Sequence, residues 1–283
     1  MTELDQPDPG LADALKRLRK AANLSGERLA VRCAMSQSKI SRIERGRILP
    51  TVVDVERILK ALDVPAETGR ELVTLARRAN VQHTSWRAVA ELGLWRKQAE
   101  LKALAESSSV VRQFLPATPS GLIQTEEYAR TALTPTVEGR PARNVERAVR
   151  ARMESQQALQ DESRTFHFLL TEQAIRWGRA SPDVIARQCA HMAEVSQRPN
   201  VHLAVLPWTA TKVAMPSPLN VFVVYDDRLV TAELFSGEVV LRDPRDVSYH
   251  LNLFEHFHKN ALTGSNGTLF LRQVESELMR KRG

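Results

Sequence analysis

The sequence predicts two domains of different fold class: a mainly α bundle of five short helices, followed by an α/β domain with a mixed sheet. Within the first eighty residues, apolar side chains recur at helical spacing between capping serines, a glycine and a proline. From about residue 165, short apolar runs of strand length alternate with helical segments. The chain of 283 residues, 43% of them hydrophobic, is long and apolar enough for two cores.

The N-terminal part predicts a flexible tail over residues 1–10 and a helical domain over residues 11–80. Ser25 and Ser36 are candidate N-caps, and Gly46 is placed to end a helix. The five predicted helices cover about 11–22, 26–33, 37–45, a segment opened by Pro50 and Thr51, and 66–79. Two short helices joined by a tight turn and followed by further short helices form a helix-turn-helix arrangement.

The third predicted helix, with the sequence QSKISRIERG at 37–46, has an unusual outer face. Ile40 and Ile43 fall on one side and anchor it to a core, whereas the other positions offer mostly hydrogen-bond donors. Between Ala14 and Arg47 the chain has ten basic and two acidic side chains, a net charge of +8 against +7 for the whole protein. This concentration predicts double-stranded DNA as a partner. A basic bundle that makes only protein contacts is the alternative.

The segment LSGERLAVRCAMSQSKISRIERGRILPT resembles the DNA-binding domain of phage-repressor-type (Xre-like) transcription regulators. The resemblance implies that bases are read by Gln37, Ser38 and Arg42. Their chemistry agrees, because glutamine pairs with adenine and arginine with guanine. The phosphate contacts are assigned to Arg28, Lys39, Ser41, Arg45 and Arg47. The resemblance further implies a structural ion pair between Arg19 and Glu44.

One position departs from this family pattern in a way that affects the expected backbone. Ala34 stands where the turn between the two central helices usually has a glycine. A left-handed alanine costs about 1–2 kcal/mol, so we expect the turn to differ slightly from the usual one.

Residues 81–112 are predicted to form one connector helix with an apolar stripe that includes Trp86, Leu94 and Leu101, weakened at Gly93. The stripe either packs within the chain or forms a dimer contact. A homodimer is expected in either case, because two recognition helices match paired DNA half-sites. The sequence leaves open which segment forms the dimer.

Residues 113–283 are predicted to form the α/β domain. TFHFLLT (165–171) and VHLAVLP (201–207) are strand-like, and the helix between them makes a parallel crossover. LNVFVVYDD, RLVTAEL and GEVVLRD predict an antiparallel meander. Further helices are predicted at 142–159, 244–263 and 268–281.

Five stretches of this domain follow one another in the order FLPATPSGLIQTEEYARTAL, RMESQQAL, LTEQAIRW, RPNVHLAVLP and NVFVVYDDRLVTAEL. In these stretches the domain resembles the C-terminal domain of the WhiJ-like regulators of actinobacteria. The resemblance implies a transcriptional regulator whose C-terminal domain receives a signal or binds a small partner protein encoded nearby. The alternative is an antitoxin-like interaction module that neutralises such a protein, with DNA binding secondary.

No catalytic motif for nucleotide binding, esterase chemistry or zinc hydrolysis occurs in the sequence, so we expect no enzyme activity, no cofactor and no metal site. His256 and His258 lie two residues apart on a predicted helix and face different ways. His167 is expected to be half-exposed or hydrogen-bonded. Cys33 and Cys189 have no metal or redox spacing and are expected to be small core residues in a reducing compartment.

The segment PWTATKVAMPSP at 207–218 has no periodicity. It is either an irregular crossover loop or part of a ligand or partner site around Trp177, Trp208 and Met215. The second possibility would make the domain a small-molecule sensor.

The acidic first ten residues and the lack of a long apolar run predict no signal peptide and no membrane span. The protein is therefore expected to be cytoplasmic.

Overall fold

The computed structural model describes residues 9–134, 144–210 and 216–280. The chain divides into two compact units. Unit 1 comprises Met1–Gln82 and Val240–Asp246, and unit 2 comprises His83–Val239 and Val247–Gly283. The predicted fold class is confirmed, since five short helices precede an α/β region with an eight-stranded mixed sheet. Most of the predicted tail lies outside the described residues.

Unit 1 is built from five helices whose ends follow the predicted caps. They are α1 (Pro9–Ala21), α2 (Gly26–Cys33), α3 (Gln37–Glu44), α4 (Val52–Ala61) and α5 (Ala66–Ala79). The hydroxyl of Ser25 accepts a hydrogen bond from the Arg28 N–H, and that of Ser36 accepts one from the Lys39 N–H. Gly46 has a positive φ of 63° after α3. Helix α1 begins two residues earlier than predicted. The helices share one apolar core, formed by Leu11, Leu15, Leu29, Ala30, Cys33, Ile40, Ile43, Val52, Val55, Ile58, Leu59 and Ala76.

The turn between α2 and α3 keeps its left-handed residue although that residue is alanine. Ala34 has φ 52° and ψ 48°, so the expectation that the turn would differ is wrong. The Ala34 N–H donates to the Val31 carbonyl and the Met35 N–H donates to the Ala30 carbonyl. These bonds are those of a Schellman motif and satisfy the last carbonyls of α2. Met35 also packs against the core, so the contacts around Ala34 outweigh its backbone strain.

Ala34→Gly is therefore expected to stabilise unit 1 by about 0.5–1 kcal/mol. Relief of the left-handed strain exceeds the extra entropy that glycine gives the unfolded chain. Urea denaturation measures the change. The matched control is Ala14→Gly within α1, which is expected to cost about 1 kcal/mol because its backbone is helical. A loss of stability in Ala34→Gly would mean that the turn is not strained.

The prediction of one connector helix over 81–112 is wrong. The segment forms β1 (Val81–Ser85), α6 (Trp86–Leu92), α7 (Leu94–Glu106) and the start of β2 (Val110–Leu115). Gly93 separates the two helices with φ 101°, a conformation that interrupts a helix, and a Cβ atom there would lie 2.8 Å from Trp95 Nε1. Val81 and Thr84 are β-branched, which favours the strand.

The remaining elements follow the predicted order with one exception: the helix predicted over 244–263 ends at His258, and the last two residues of that range form strand β8 (Leu262–Thr263). The helices are α8 (Glu126–Leu133), α9 (Val145–Ser155), α10 (Glu172–Arg176), α11 (Pro182–Val195), α12 (Pro244–His258) and α13 (Gly264–Arg280). The strands are β3 (Thr165–Thr171), β4 (Val201–Leu206), β5 (Phe222–Tyr225), β6 (Leu229–Glu233), β7 (Gly237–Leu241) and β8 (Leu262–Thr263). None of the described helices has both the length and the apolar content needed to span a bilayer.

The sheet has the strand order β1-β7-β6-β5-β2-β3-β4-β8 in the described part of the chain. Six strands lie wholly in unit 2, and the division between the units falls within β1 and β7. Strands β2, β3 and β4 are parallel, and β5 pairs antiparallel with both β2 and β6. The predicted crossover from β3 to β4 and the antiparallel β5–β6 pair are confirmed. The core of unit 2 includes Phe166, Phe168 and Leu170 of β3.

Both cysteines are free and buried, as expected of small core residues. Burial raises the pKa of the Cys33 thiol, and it raises that of Cys189 to about 12. Their thiols therefore stay protonated in the folded protein near neutral pH.

His167 is half-buried on β3, as expected, and its ring stacks on that of His202 with the centroids 4.7 Å apart. Burial, together with the nearby charges of His202, Arg112 and His258, lowers the pKa of His167 from 6.5 to about 4.

Acid is expected to destabilise unit 2 through His167. The unfolded chain takes up a proton at the ordinary pKa of 6.5, whereas the folded histidine has a pKa of about 4. Above pH 6.5 this group leaves stability unchanged, and stability falls as the pH drops from 6.5 towards 4. For a half-buried ring we expect a loss of about 2 kcal/mol. Denaturation curves at several pH values should show a shallower acid loss for His167→Gln than for wild type. Parallel pH dependences would contradict this role.

Candidate nucleic-acid interface

Helix α3 presents one face to solvent because the other is fixed in the core. Ile40 and Ile43 are 1% and 0% exposed. Successive residues of a helix are about 100° apart, so the side opposite the isoleucines forms a continuous arc. The members of this arc, called the α3 outer face below, are Gln37, Ser38, Ser41, Arg42 and, at the C-cap, Arg45. All are exposed except Ser41, which is half-buried.

One flank of α3 is tied to α1. Arg19 Nε donates to Glu44 Oε1 at 2.6 Å, and Arg19 Nη2 donates to Glu44 Oε2 at 2.8 Å. The third guanidinium nitrogen donates to the Leu24 carbonyl at 2.7 Å. The two side chains are only 14% and 10% exposed. Such a bidentate, largely desolvated pair is geometrically specific as well as strong.

The opposite flank is tied to α4. Lys39 Nζ donates to Asp54 Oδ1 at 2.6 Å. The other oxygen of Asp54 accepts the Thr51 N–H at 3.1 Å, and the Thr51 hydroxyl accepts the Asp54 N–H at 3.1 Å. Asp54 therefore completes a capping box at the start of α4 and holds Lys39 with the same carboxylate.

The two ion pairs fix how α3 is rotated. Lys39 and Glu44 lie on either side of the two isoleucines around the helix axis. Rotation of the helix in either direction would break one of the pairs. The α3 outer face is thus held in one orientation by apolar contacts underneath and by an ion pair on each flank.

Four arginines on and beside this face are unneutralised. Arg28, Arg42, Arg45 and Arg47 are exposed. Among the described residues their guanidinium groups have no hydrogen bond or ion pair. The Ser36 and Ser38 hydroxyls lie 3.1 Å apart, at the start of the helix. The arrangement can donate hydrogen bonds to an anionic, groove-shaped partner.

Two findings differ from what the sequence suggested for this surface. Lys39, predicted as a phosphate donor, already has an intramolecular partner, so only part of its donor capacity remains. Asp54, which supplies that partner, was not singled out. Its local signal was readable, because Thr51 and Asp54 have the spacing of a capping box.

The predicted loop site in unit 2 is only partly described. Trp177 and Trp208 are 60% and 56% exposed, whereas Met215 lies outside the described residues. The Glu172 carboxylate accepts a hydrogen bond from Arg176 Nε at 2.7 Å and another from the backbone N–H of Trp208 at 3.0 Å. It therefore links the segments that carry the two tryptophans.

Two solved structures show limited similarity to the chain. One is Nuc, a phospholipase D family member from Salmonella typhimurium, with 8% identity over 59% of this chain and 90% of that chain, at a TM-score of 0.35. The other is TrmBL2, an archaeal chromatin protein described as showing a novel mode of DNA binding, with 13% identity over 74% of this chain and 66% of that chain, at a TM-score of 0.35. At these TM-scores neither similarity supports an assignment.

Family comparisons are more informative than single relatives. No protein of curated function matches the chain in sequence. Residues 11–72 match a helix-turn-helix domain, which supports a DNA-binding regulator and covers α1 to α4 and half of α5. Residues 98–273 match a domain of unknown function, DUF5753. Because this second match spans more than half of the sequence, the chain belongs to the DUF5753 family, here joined to a helix-turn-helix domain.

Proposed function

We propose that the protein is a sequence-specific transcription regulator that reads double-stranded DNA with α3. The observation that carries the proposal is the α3 outer face, whose free donors are held in one orientation by an ion pair on each flank. The helix-turn-helix match of residues 11–72 supports it. So does the resemblance of this segment to Xre-like regulators.

Base reading is assigned to the residues with the right donor and acceptor geometry. Gln37 offers a bidentate contact to adenine, Arg42 offers one to guanine N7 and O6, and Ser38 suits either base. Arg28, Arg45 and Arg47 are assigned to phosphates, which set the register of the protein on the duplex. Ser41 and the remaining donors of Lys39 add to these phosphate contacts.

The proposed assembly is a homodimer that acts on DNA in the cytoplasm. Two recognition helices would then occupy half-sites one helical turn apart, roughly 34–36 Å. Unit 2 is assigned the non-catalytic role of receiving a signal, from a small molecule or a small partner protein. The resemblance of residues 114–133 and later segments to WhiJ-like regulators supports this division of roles.

Selection of DNA from a random pool by the full-length protein tests the proposal. The expected product is a palindromic motif bound about 10³-fold or more above random DNA. Titrations at several salt concentrations separate this specific binding from the phosphate contribution. Binding that is salt-sensitive but blind to sequence would overturn the assignment of a specific regulator.

A further inference from the structure

Two of the segments that carry the family resemblance meet at one arginine in unit 2. Arg152, on α9, donates from Nε to Gln98 Oε1 at 3.1 Å and from Nη1 to Gln124 Oε1 at 2.8 Å. Its guanidinium also lies against the backbone of Gly121, where a Cβ atom would be 3.1 Å from Nε. Gly121 and Gln124 belong to the segment 114–133, and Arg152 opens RMESQQAL.

The groups that hold this guanidinium are themselves fixed. Gln124 Nε2 donates to the Pro119 carbonyl at 2.7 Å. Gln156 Nε2 donates to the carbonyls of Gly121 and Gln124 at 3.0 and 2.7 Å. Gln98 and Gln124 are buried, so neither amide is free to swing away. The position of the Arg152 guanidinium is thus set before any ligand arrives.

The charge of Arg152 is not neutralised by these contacts. Both partners are neutral amide oxygens, and no carboxylate among the described residues forms a hydrogen bond or ion pair with it. Burial and the neighbouring positive charge of Arg179 lower the pKa of Arg152 to about 10, and the charge of Glu233 opposes this without forming an ion pair. Charges that are largely removed from water in proteins are normally paired, so this half-buried guanidinium without a carboxylate indicates a missing anion.

Two of the acids near Arg152 pair with a lysine instead. Lys97 is paired with Glu238 at 2.5 Å and with Glu100 at 3.3 Å. Glu233 is exposed at the end of β6, and burial of its surroundings raises the pKa of its carboxyl group. Arg152 is half-buried, so part of its side chain remains in contact with solvent.

We propose that Arg152 anchors a binding site in unit 2 for a small ligand that carries an oxyanion, either a carboxylate or a phosphate. An arginine fork binds both groups through two parallel hydrogen bonds. Arg179, which is exposed and donates to the Ala132 carbonyl, supplies a second positive charge beside it. The inference rests on the signal-receiving role proposed for unit 2 and narrows that role to a small anionic molecule.

Thermal unfolding of the full-length protein with simple anions tests the site without DNA. Inorganic phosphate and succinate are titrated separately, each against sodium chloride at equal ionic strength. A ligand that binds only the folded state raises the unfolding midpoint, and about 10 mM suffices for a site of millimolar affinity. We expect a rise beyond the chloride control with at least one anion. The anion whose rise is larger and is lost in Arg152→Gln identifies the source, phosphate or carboxylate, because the free arginines beside α3 also attract phosphate.

Variants separate a binding role from a structural one. Arg152→Gln removes the charge and is expected to weaken anion binding roughly tenfold or more. The control Arg187→Gln removes an exposed arginine elsewhere in unit 2 and should keep the full response. Gln98→Glu is nearly isosteric and places a carboxylate against Arg152 from within the chain. It is expected to raise the midpoint without anion and to abolish the anion response.

The proposal is overturned if neither anion acts beyond chloride, or if Gln98→Glu or a folded Arg152→Gln variant responds like wild type. Gln98→Glu keeps the test informative if Arg152→Gln does not fold. These outcomes are independent of DNA binding, which is measured with Arg42 variants. A negative anion-binding result therefore does not contradict the DNA-binding proposal. A negative DNA-binding result likewise does not contradict the anion site.

Discussion

Glu44→Ala is expected to lower the free energy of unfolding of unit 1 by about 3–5 kcal/mol, because it leaves Arg19 in a largely desolvated position without its carboxylate. The pair is bidentate, with only 14% and 10% of the two side chains exposed. The hydrogen bonds that Arg19 donates to Glu44 raise the pKa of Arg19. An arginine guanidinium stays protonated in proteins even without such a partner, so Arg19 keeps its charge when Glu44 is lost. The Leu24 carbonyl then remains as the one hydrogen-bond acceptor for this guanidinium among the described residues.

Urea denaturation of wild type and Glu44→Ala measures this cost. Glu71→Ala, an exposed acid on α5, is the matched control and should change stability by less than about 0.5 kcal/mol. Arg19→Ala and the double variant complete a mutant cycle. A coupling energy near zero between Arg19 and Glu44 would show that the pair does not hold α3. The surviving folded fraction of Glu44→Ala should also bind DNA less tightly, because one flank of α3 is released.

Arg42→Ala is expected to cost roughly 1–3 kcal/mol of specific binding and to relax specificity at one base pair. Arg42 lies on the α3 outer face, is exposed, and has no hydrogen bond or ion pair within the described residues. Its loss should leave the fold unchanged, since the core residues Ile40 and Ile43 and both flanking ion pairs remain. Binding titrations with the selected motif, and with each base of that motif replaced in turn, measure the effect.

Two further variants distinguish base reading from a general charge effect. Arg45→Ala should weaken binding to all sequences alike and reduce the salt slope by about one, as expected for a phosphate contact. Arg70→Ala removes the same charge from the exposed surface of α5 and should have little effect. If Arg42→Ala weakened all sequences equally and kept the base preference, Arg42 would be a phosphate contact instead.

The helices of unit 1 were predictable because their ends are coded locally. Ser25, Ser36 and Gly46 occupy the caps that the sequence assigns to them, and the spacing of Ile40 and Ile43 identifies the buried face of α3. Strands β3 and β4 were predictable for a similar reason, since each is a short run that is apolar apart from one histidine and, in β3, the terminal threonines.

The errors arose where tertiary contacts decide the backbone. Gly93 splits the predicted connector helix, and the sequence before it joins the edge of a sheet formed with residues far along the chain. Ala34 adopts a left-handed turn because Met35 and the end of α2 hold it there. Strand β8 has only two residues, too few for a sequence pattern. The ion-pair partner of Lys39 and the hydrogen-bond partners of Arg152 come from other helices and loops. The spacing of residues along the chain does not reveal such contacts.

A crystal structure of the full-length protein bound to its selected DNA motif tests the central claim most directly. The account predicts that α3 lies in the major groove, with Gln37, Ser38 and Arg42 at base edges and the Arg19–Glu44 and Lys39–Asp54 pairs intact. It also predicts the Arg42 guanidinium within hydrogen-bond distance of guanine N7 and O6. A complex in which DNA contacts another surface and α3 faces away from the groove would contradict it.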